Sequence, residues 1–162
     1  MNMRRVLPAA FIVCFAMHQG FAQCDCKTLE QNNGQIYKKC SPFIRAEDST
    51  GKLELSISKL QTSWLLYGTL TVADIKQQIT GKLTITTSVG NVLYALMVDH
   101  APLYIDGIPM FTSSFVTTDE NLRIMQQEKI AAIQYTLNDG TTHLITEMEW
   151  LNDILQQMNC IK

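Results

Sequence analysis

The sequence predicts an α+β domain: a mostly antiparallel sheet, a meander plus a C-terminal hairpin, with two short helices packed on one face. Three observations carry this. Between Lys52 and Val98 apolar and polar residues alternate with period two over several short stretches, as in half-buried strands. Asn138-Asp139-Gly140 joins two later stretches and has the composition of a tight hairpin turn. Thr117 to Glu120 and Thr146 to Glu149 each show the Thr-x-x-Glu spacing of a helix capping box. Many strands with late, short helices argue for an antiparallel sheet covered by helices rather than for alternating β-α units.

Taken in order, Lys27 to Glu47 is polar and rich in turn residues, with Asn33-Gly34 and Ser41-Pro42, and reads as a lead segment. From Lys52, Leu53, Leu55 and Ile57 face one way while Glu54, Ser56 and Ser58 face the other. Trp64 to Val72 repeats the pattern with Trp64, Leu66, Leu70 and Val72 on one side. Lys82 to Thr87 alternates Leu83 and Ile85 with threonines. After the Ser88-Val89-Gly90-Asn91 turn, Val92 to Val98 returns as a strand that is apolar on both faces. Those four strands read as the meander. Asp99 to Pro109, with two prolines and a glycine, reads as a loop, and Phe111 to Thr117 as a further strand. Thr117 is then the expected N-cap of a first helix, which presents Leu122 and Met125 to a core. Ile130 to Leu137 and Thr142 to Glu147 form the late hairpin. Thr146 is the expected N-cap of a final helix, in which Leu151, Ile154, Leu155 and Met158 recur at helical spacing.

The N-terminus reads as an address. Arg4-Arg5 precedes an apolar run from Val6 to Met17, about a dozen residues, short of the roughly 20 that cross a bilayer as a helix. Gly20-Phe21-Ala22 supplies small side chains at the −3 and −1 positions of a cut after Ala22. Residues 1–22 are therefore expected to be a cleaved export signal, 23–51 a cysteine-bearing lead segment, and 52–162 a single α+β domain. Acylation of Cys24 as a lipoprotein anchor is the rival, disfavoured because Gln23 is not the small residue such processing prefers. Loss of the signal removes Arg4 and Arg5 and moves the net charge from −2 to −4. A mildly acidic chain without a basic cluster gives no support for nucleic-acid binding, and no transmembrane span is expected.

Cys14 departs with the signal, leaving Cys24, Cys26, Cys40 and Cys160. In an oxidising compartment an even count reads as structural disulfides. A Cys24–Cys26 bond would close a very small ring. The other two connectivities join each of Cys24 and Cys26 to one of Cys40 and Cys160. The competing reading, a soft-metal thiolate site built on Cys24-x-Cys26 and Cys40, lacks a second close cysteine pair. No metal or cofactor is expected.

Groups for catalysis are sparse. His100, in the stretch expected to be a loop, is the weak candidate for an active site. Asp99 is too close in sequence to orient its imidazole, and no Gly-x-Ser-x-Gly elbow nominates a nucleophile. His143, on the late hairpin, reads as one half of a cross-strand polar pair. Among the aromatics, Tyr94 and Tyr104 are candidate binding residues for a protein or glycan partner, whereas Phe111 and Phe115 read as core.

The stretch from Leu53 onward resembles a set of small uncharacterised exported proteins of Bacteroidota. The resemblance lies in Leu53 to Lys59, the Gly81 to Ile85 strand, Phe115 to Leu122 and Lys129 to Tyr135. It implies an envelope or secreted location and an α+β fold, and carries no active-site residues; Cys24-x-Cys26 is outside the shared pattern. The leading expectation is a non-catalytic exported domain that binds a partner or supports an assembly. The alternatives are a small hydrolase or thiol/metal protein using His100 or the Cys24-Cys26 pair, and an envelope inhibitor or immunity-type protein.

Overall fold

The computed structural model describes residues 25–30, 36–48, 51–72, 77–105 and 108–161. The expected export signal, its cut after Ala22, and Cys24 lie outside the described residues. Eleven strands and two helices are described: β1 (Cys26–Glu30), β2 (Ile36–Cys40), β3 (Ile44–Glu47), β4 (Gly51–Leu60), β5 (Ser63–Val72), β6 (Ile79–Thr87), β7 (Val92–Ile105), β8 (Ile108–Thr117), α1 (Asp119–Glu128), β9 (Ile130–Leu137), β10 (Thr142–Ile145), β11 (Met148–Trp150) and α2 (Ile154–Cys160).

All described pairings are antiparallel, and the sheet runs β1-β2-β4-β5-β8-β7-β6-β9-β10. One edge of β4 is shared: its C-terminal part pairs with β2 and its N-terminal part with β3. β10 runs on, two residues later, as β11, which pairs with β3. The ladder thus follows a closed circuit from β3 through β10 and back, with the chain itself bridging β10 to β11. At this seam the His143 ring stacks on Tyr135 with centroids 5.1 Å apart, and its Nδ1 lies 3.1 Å from Asp48 Oδ2.

The alternating apolar residues face the inside of this circuit. Leu53, Leu55, Ile57, Leu66, Leu83, Ile133 and Phe115 are wholly buried there, together with Leu122 and Met125 of α1 and Ile154 and Met158 of α2. Removal of each such side chain from water contributes about 1.5–3 kcal/mol. The helices pack against each other. Gln126 of α1 also ties them by hydrogen bonds: its Oε1 accepts from Ile154 N at 2.9 Å and its Nε2 donates to Asp153 at 3.2 Å.

Several sequence expectations are corrected. The four central strands are not a simple meander, because β8 inserts between β5 and β7 and displaces β6 from β5. The polar lead segment holds three strands: β1 pairs with β2, β2 with β4, and β3 with β4 and β11. Asp99 to Pro109 is no loop at its ends: β7 extends to Ile105 and β8 begins at Ile108. Pro102 sits within this ladder opposite Phe111; a sheet tolerates proline where the missing N–H is not required by a neighbour. Val92 to Val98 is apolar on both faces, yet Val92, Tyr94, Leu96 and Val98 are exposed and Ala95 is buried.

Both helix starts shift as well. The first N-cap is Thr118, whose side chain accepts from Asn121 N at 3.0 Å, while Thr117 still belongs to β8 and is buried. The last helix is capped by Asp153, which accepts from Gln156 N at 2.8 Å; the stretch after Thr146 is instead consumed by β11. Loss of a Thr cap costs about 1 kcal/mol. Thr118→Ala is accordingly expected to lower the unfolding free energy by about that amount in urea titration, with an unchanged m-value.

Candidate functional site

Residues that pair directly across an antiparallel ladder project to the same face, so the register identifies what lies opposite the core. On that outer face Lys39, Ser58 and Leu65 form one row. Ser56, Tyr67, Ser114 and Asp99 form the next, and Glu54, Thr69, Thr112 and Ala101 the third. Small hydroxyl residues therefore dominate the middle of the face. Ser56, Ser58 and Thr112 are buried although they point away from the core.

Their burial follows from curvature. A cavity of about 100 Å³ is lined both by Tyr37 of β2 and by Asp99 and His100 of β7, with Ser58, Tyr67 and Ser114 between them. A neighbouring cavity of about 360 Å³ is lined by Lys27 and Leu29 of β1, Lys39 of β2, and Thr69 and Met110 of β5 and β8. The face is concave: β1 and β2 form one wall, β7 the other, and β4, β5 and β8 the floor. The Lys39 amine stands 3.5 Å from the centre of the Tyr67 ring, where the two cavities adjoin.

The hydroxyls are held in place by the backbone. Ser58 Oγ donates to the Lys38 carbonyl at 2.9 Å, and Thr112 Oγ1 to the Ala101 carbonyl at 3.1 Å. With their protons so engaged, both hydroxyls are fixed in the lining of the smaller cavity. Burial, and then the nearby Tyr67, push the Tyr37 phenol above its ordinary pKa, so it remains a neutral donor at physiological pH. Burial also lowers the Lys39 amine to about 8, against a smaller opposing pull from Glu54. Glu54 accepts from Arg45 Nε at 3.0 Å and Lys52 Nζ at 2.7 Å. Burial raises its pKa, but these two cations outweigh burial and hold it below the ordinary carboxylate value.

His100 lines the rim of the smaller cavity and is exposed. The Asp99 carboxylate accepts from the His100 backbone N–H at 2.8 Å. Tyr94 lies exposed on the outer face, away from the cavities, with the Lys82 amine 4.3 Å from its ring centre. Tyr104 is placed by its backbone, opposite Pro109 on β8; its side chain lies outside the described residues. Phe111 and Phe115 are in the core. His143 is buried at the seam: it lies opposite Tyr135 across the hairpin, and its ring also reaches Asp48. Cys26 and Cys40 are opposite each other on β1 and β2 and form a disulfide, and Cys160 is also disulfide-bonded. Among the described residues no group of three or more His, Cys, Asp or Glu side chains is placed to hold a metal ion. Among them, too, no helix is long and apolar enough to cross a membrane.

Sequence reasoning did not single out Tyr37, Tyr67 or Ser114. Their only signal was polar alternation opposite the apolar face, which every half-buried strand shares. No protein-family model, curated protein or solved structure matches this chain.

Proposed function

We propose that this chain is an exported, non-catalytic binding domain of the cell envelope or the secreted fraction, and that it holds a protein or glycan partner in the concave outer face. The observation that carries the reading is the groove itself. Backbone-anchored hydroxyls and two tyrosines converge on a cavity where a sheet of this kind would ordinarily present scattered polar side chains to water. The disulfide between β1 and β2 holds that wall of the groove and fits an oxidising compartment. Arg4-Arg5, the apolar run after them, and Gly20-Phe21-Ala22 support export.

Binding of defined oligosaccharides and peptides to residues 23–162, with disulfides intact, tests this. Tyr37→Ala and Ser114→Leu, one emptying a wall and the other filling the floor, are each expected to weaken the bound ligand about tenfold or more, since each disturbs a desolvated hydrogen-bonding position. If both variants bind as the parent does while Leu96→Asp, on the exposed apolar stripe, abolishes binding, the groove is not the site. Turnover of a bound ligand that disappears in His100→Ala, with binding retained, would replace the non-catalytic reading by a hydrolytic one.

A further inference from the structure

We infer that the Lys39 end of the groove is a carboxylate subsite, and that the ligand it selects is an acidic sugar. This rests on the binding groove proposed above and specifies its ligand. Lys39 lines the larger cavity, and its amine is set against the Tyr67 ring. Among the described residues no carboxylate lies within ion-pair distance of that amine. The nearby Glu54 is already held by Arg45 and Lys52, and Asp25 accepts a hydrogen bond from the Ser41 hydroxyl. A half-buried cation balanced by a ring face favours an incoming anion, because desolvation has already been borne in the folded protein.

The surroundings favour a sugar over an acidic peptide. The floor strands β4, β5 and β8 have strand partners on both edges, so they offer no free backbone ladder to an extended peptide. What the floor does offer is hydroxyl side chains: Ser58 pairs directly with Lys39, Ser56 and Thr69 line the larger cavity, and Ser114 lies across from Tyr67. These match a ligand that carries several hydroxyls of its own. A cavity of about 360 Å³ also accommodates more than a lone carboxylate.

The amine gives the subsite a pH signature. The groups facing it are Asp25 just before β1, Lys27 from β1, Glu54 from β4 and Tyr67 from β5. In the free protein the amine titrates at about 8. A bound carboxylate favours the charged form and raises that value, so binding above pH 8 takes up a proton. Affinity is therefore level below about pH 7 and falls by up to tenfold per pH unit above 8.

The test is calorimetry on the disulfide-intact residues 23–162 with trigalacturonic acid, its fully methyl-esterified counterpart and a triglutamate peptide. The acid is expected to bind about tenfold or more tightly than the ester at pH 7. At pH 9 its binding is expected to take up about 0.4 proton for a tenfold preference and more for a larger one, read from the dependence on buffer ionisation enthalpy. In Lys39→Met, with its fold verified by circular dichroism, acid and ester should bind alike and the proton uptake should vanish. Equal affinities for acid and ester in the parent, or an acid preference that survives Lys39→Met, overturn the subsite while the groove stands. Binding of the peptide with neither sugar bound overturns the sugar assignment, and binding of none of the three overturns the inference. The groove itself fails separately, by the Tyr37 and Ser114 variants.

Discussion

Phe115→Ala is expected to destabilise the fold by about 3–5 kcal/mol, the ordinary cost of truncating a fully buried phenylalanine. Phe115 is wholly inaccessible to solvent on β8, a central strand with β5 on one side and β7 on the other. Its ring covers Gly68 of β5: a Cβ added to that glycine would stand 3.3 Å from Phe115 Cε2. Glycine and phenylalanine thus share one site in the core, the first leaving the space the second fills. Removing the ring leaves a hole bounded by the Gly68 backbone and the Leu53 and Leu55 side chains, and the glycine side of it cannot close without bending β5. Because β5 is also the floor of the groove, the variant should lose ligand binding in proportion to its unfolded fraction. Urea titration followed by tryptophan fluorescence measures the effect. A loss below about 1 kcal/mol would show that the central strands relax into the space.

Reduction of the Cys26–Cys40 disulfide is expected to cost about 3 kcal/mol and to lower the melting temperature by roughly 10 °C. The bond closes a loop with a sequence separation of 14 residues. It clips β1, at one end of the sheet path, to β2, whose inner face reaches the core: Cys40 Sγ lies 3.9 Å from the Gln157 carbonyl in α2. Of the two connectivities open from the sequence, the one that joins Cys26 to Cys40 leaves Cys24 for Cys160. Peptide mapping of the non-reduced protein should recover that crosslinked pair beside Cys26–Cys40. Thermal melts with and without a phosphine reductant, and of Cys26→Ser/Cys40→Ser, measure the stability term. Unchanged melting in both would show that β1 and β2 stand without the clip.

Where periodicity and turn chemistry were both present, the elements were legible. The alternation of Leu53, Leu55 and Ile57 marked the inner face of β4, and Asn138-Asp139-Gly140 marked the β9–β10 turn, where Gly140 adopts φ +87°. Ser88 to Asn91 likewise turns through Gly90 at φ +93°. The failures share a cause. Proline and glycine in Asp99 to Pro109 weaken strand formation locally, but the pairing of β7 with β8 overrides them. Thr146 to Glu149 has the right spacing for a capping box, but β3 needed a partner at its open edge and β11 supplies it. A local signal loses wherever a long-range ladder satisfies more backbone groups than a short helix would.

The site was less legible than the fold. His100 was noticed because histidine stands out in a stretch punctuated by proline, and it does lie at the rim of the groove. Tyr94 was noticed as an aromatic on a strand and lies elsewhere on the same face. Tyr37 and Lys39 sit in a segment whose composition reads as turn, roughly 20 to 80 residues away from the serines and aspartate they meet. Nothing local announces such a meeting.

By itself, then, the sequence determined the class of this protein: an alternating apolar face that must be buried, helices too short to stand without it, and an even set of cysteines that reads as disulfides. These are local consequences of side-chain period and turn geometry. Only the tertiary structure decided that β8 enters between β5 and β7, that the chain closes the sheet through β10 and β11, and that the outer face becomes concave. Curvature depends on which strands pair and in what register, and on small side chains such as Ser56, Ser58 and Ser114 falling side by side on the face that bends inward. That adjacency is created by pairing between distant segments, and with it the groove in which Lys39 and Tyr67 meet.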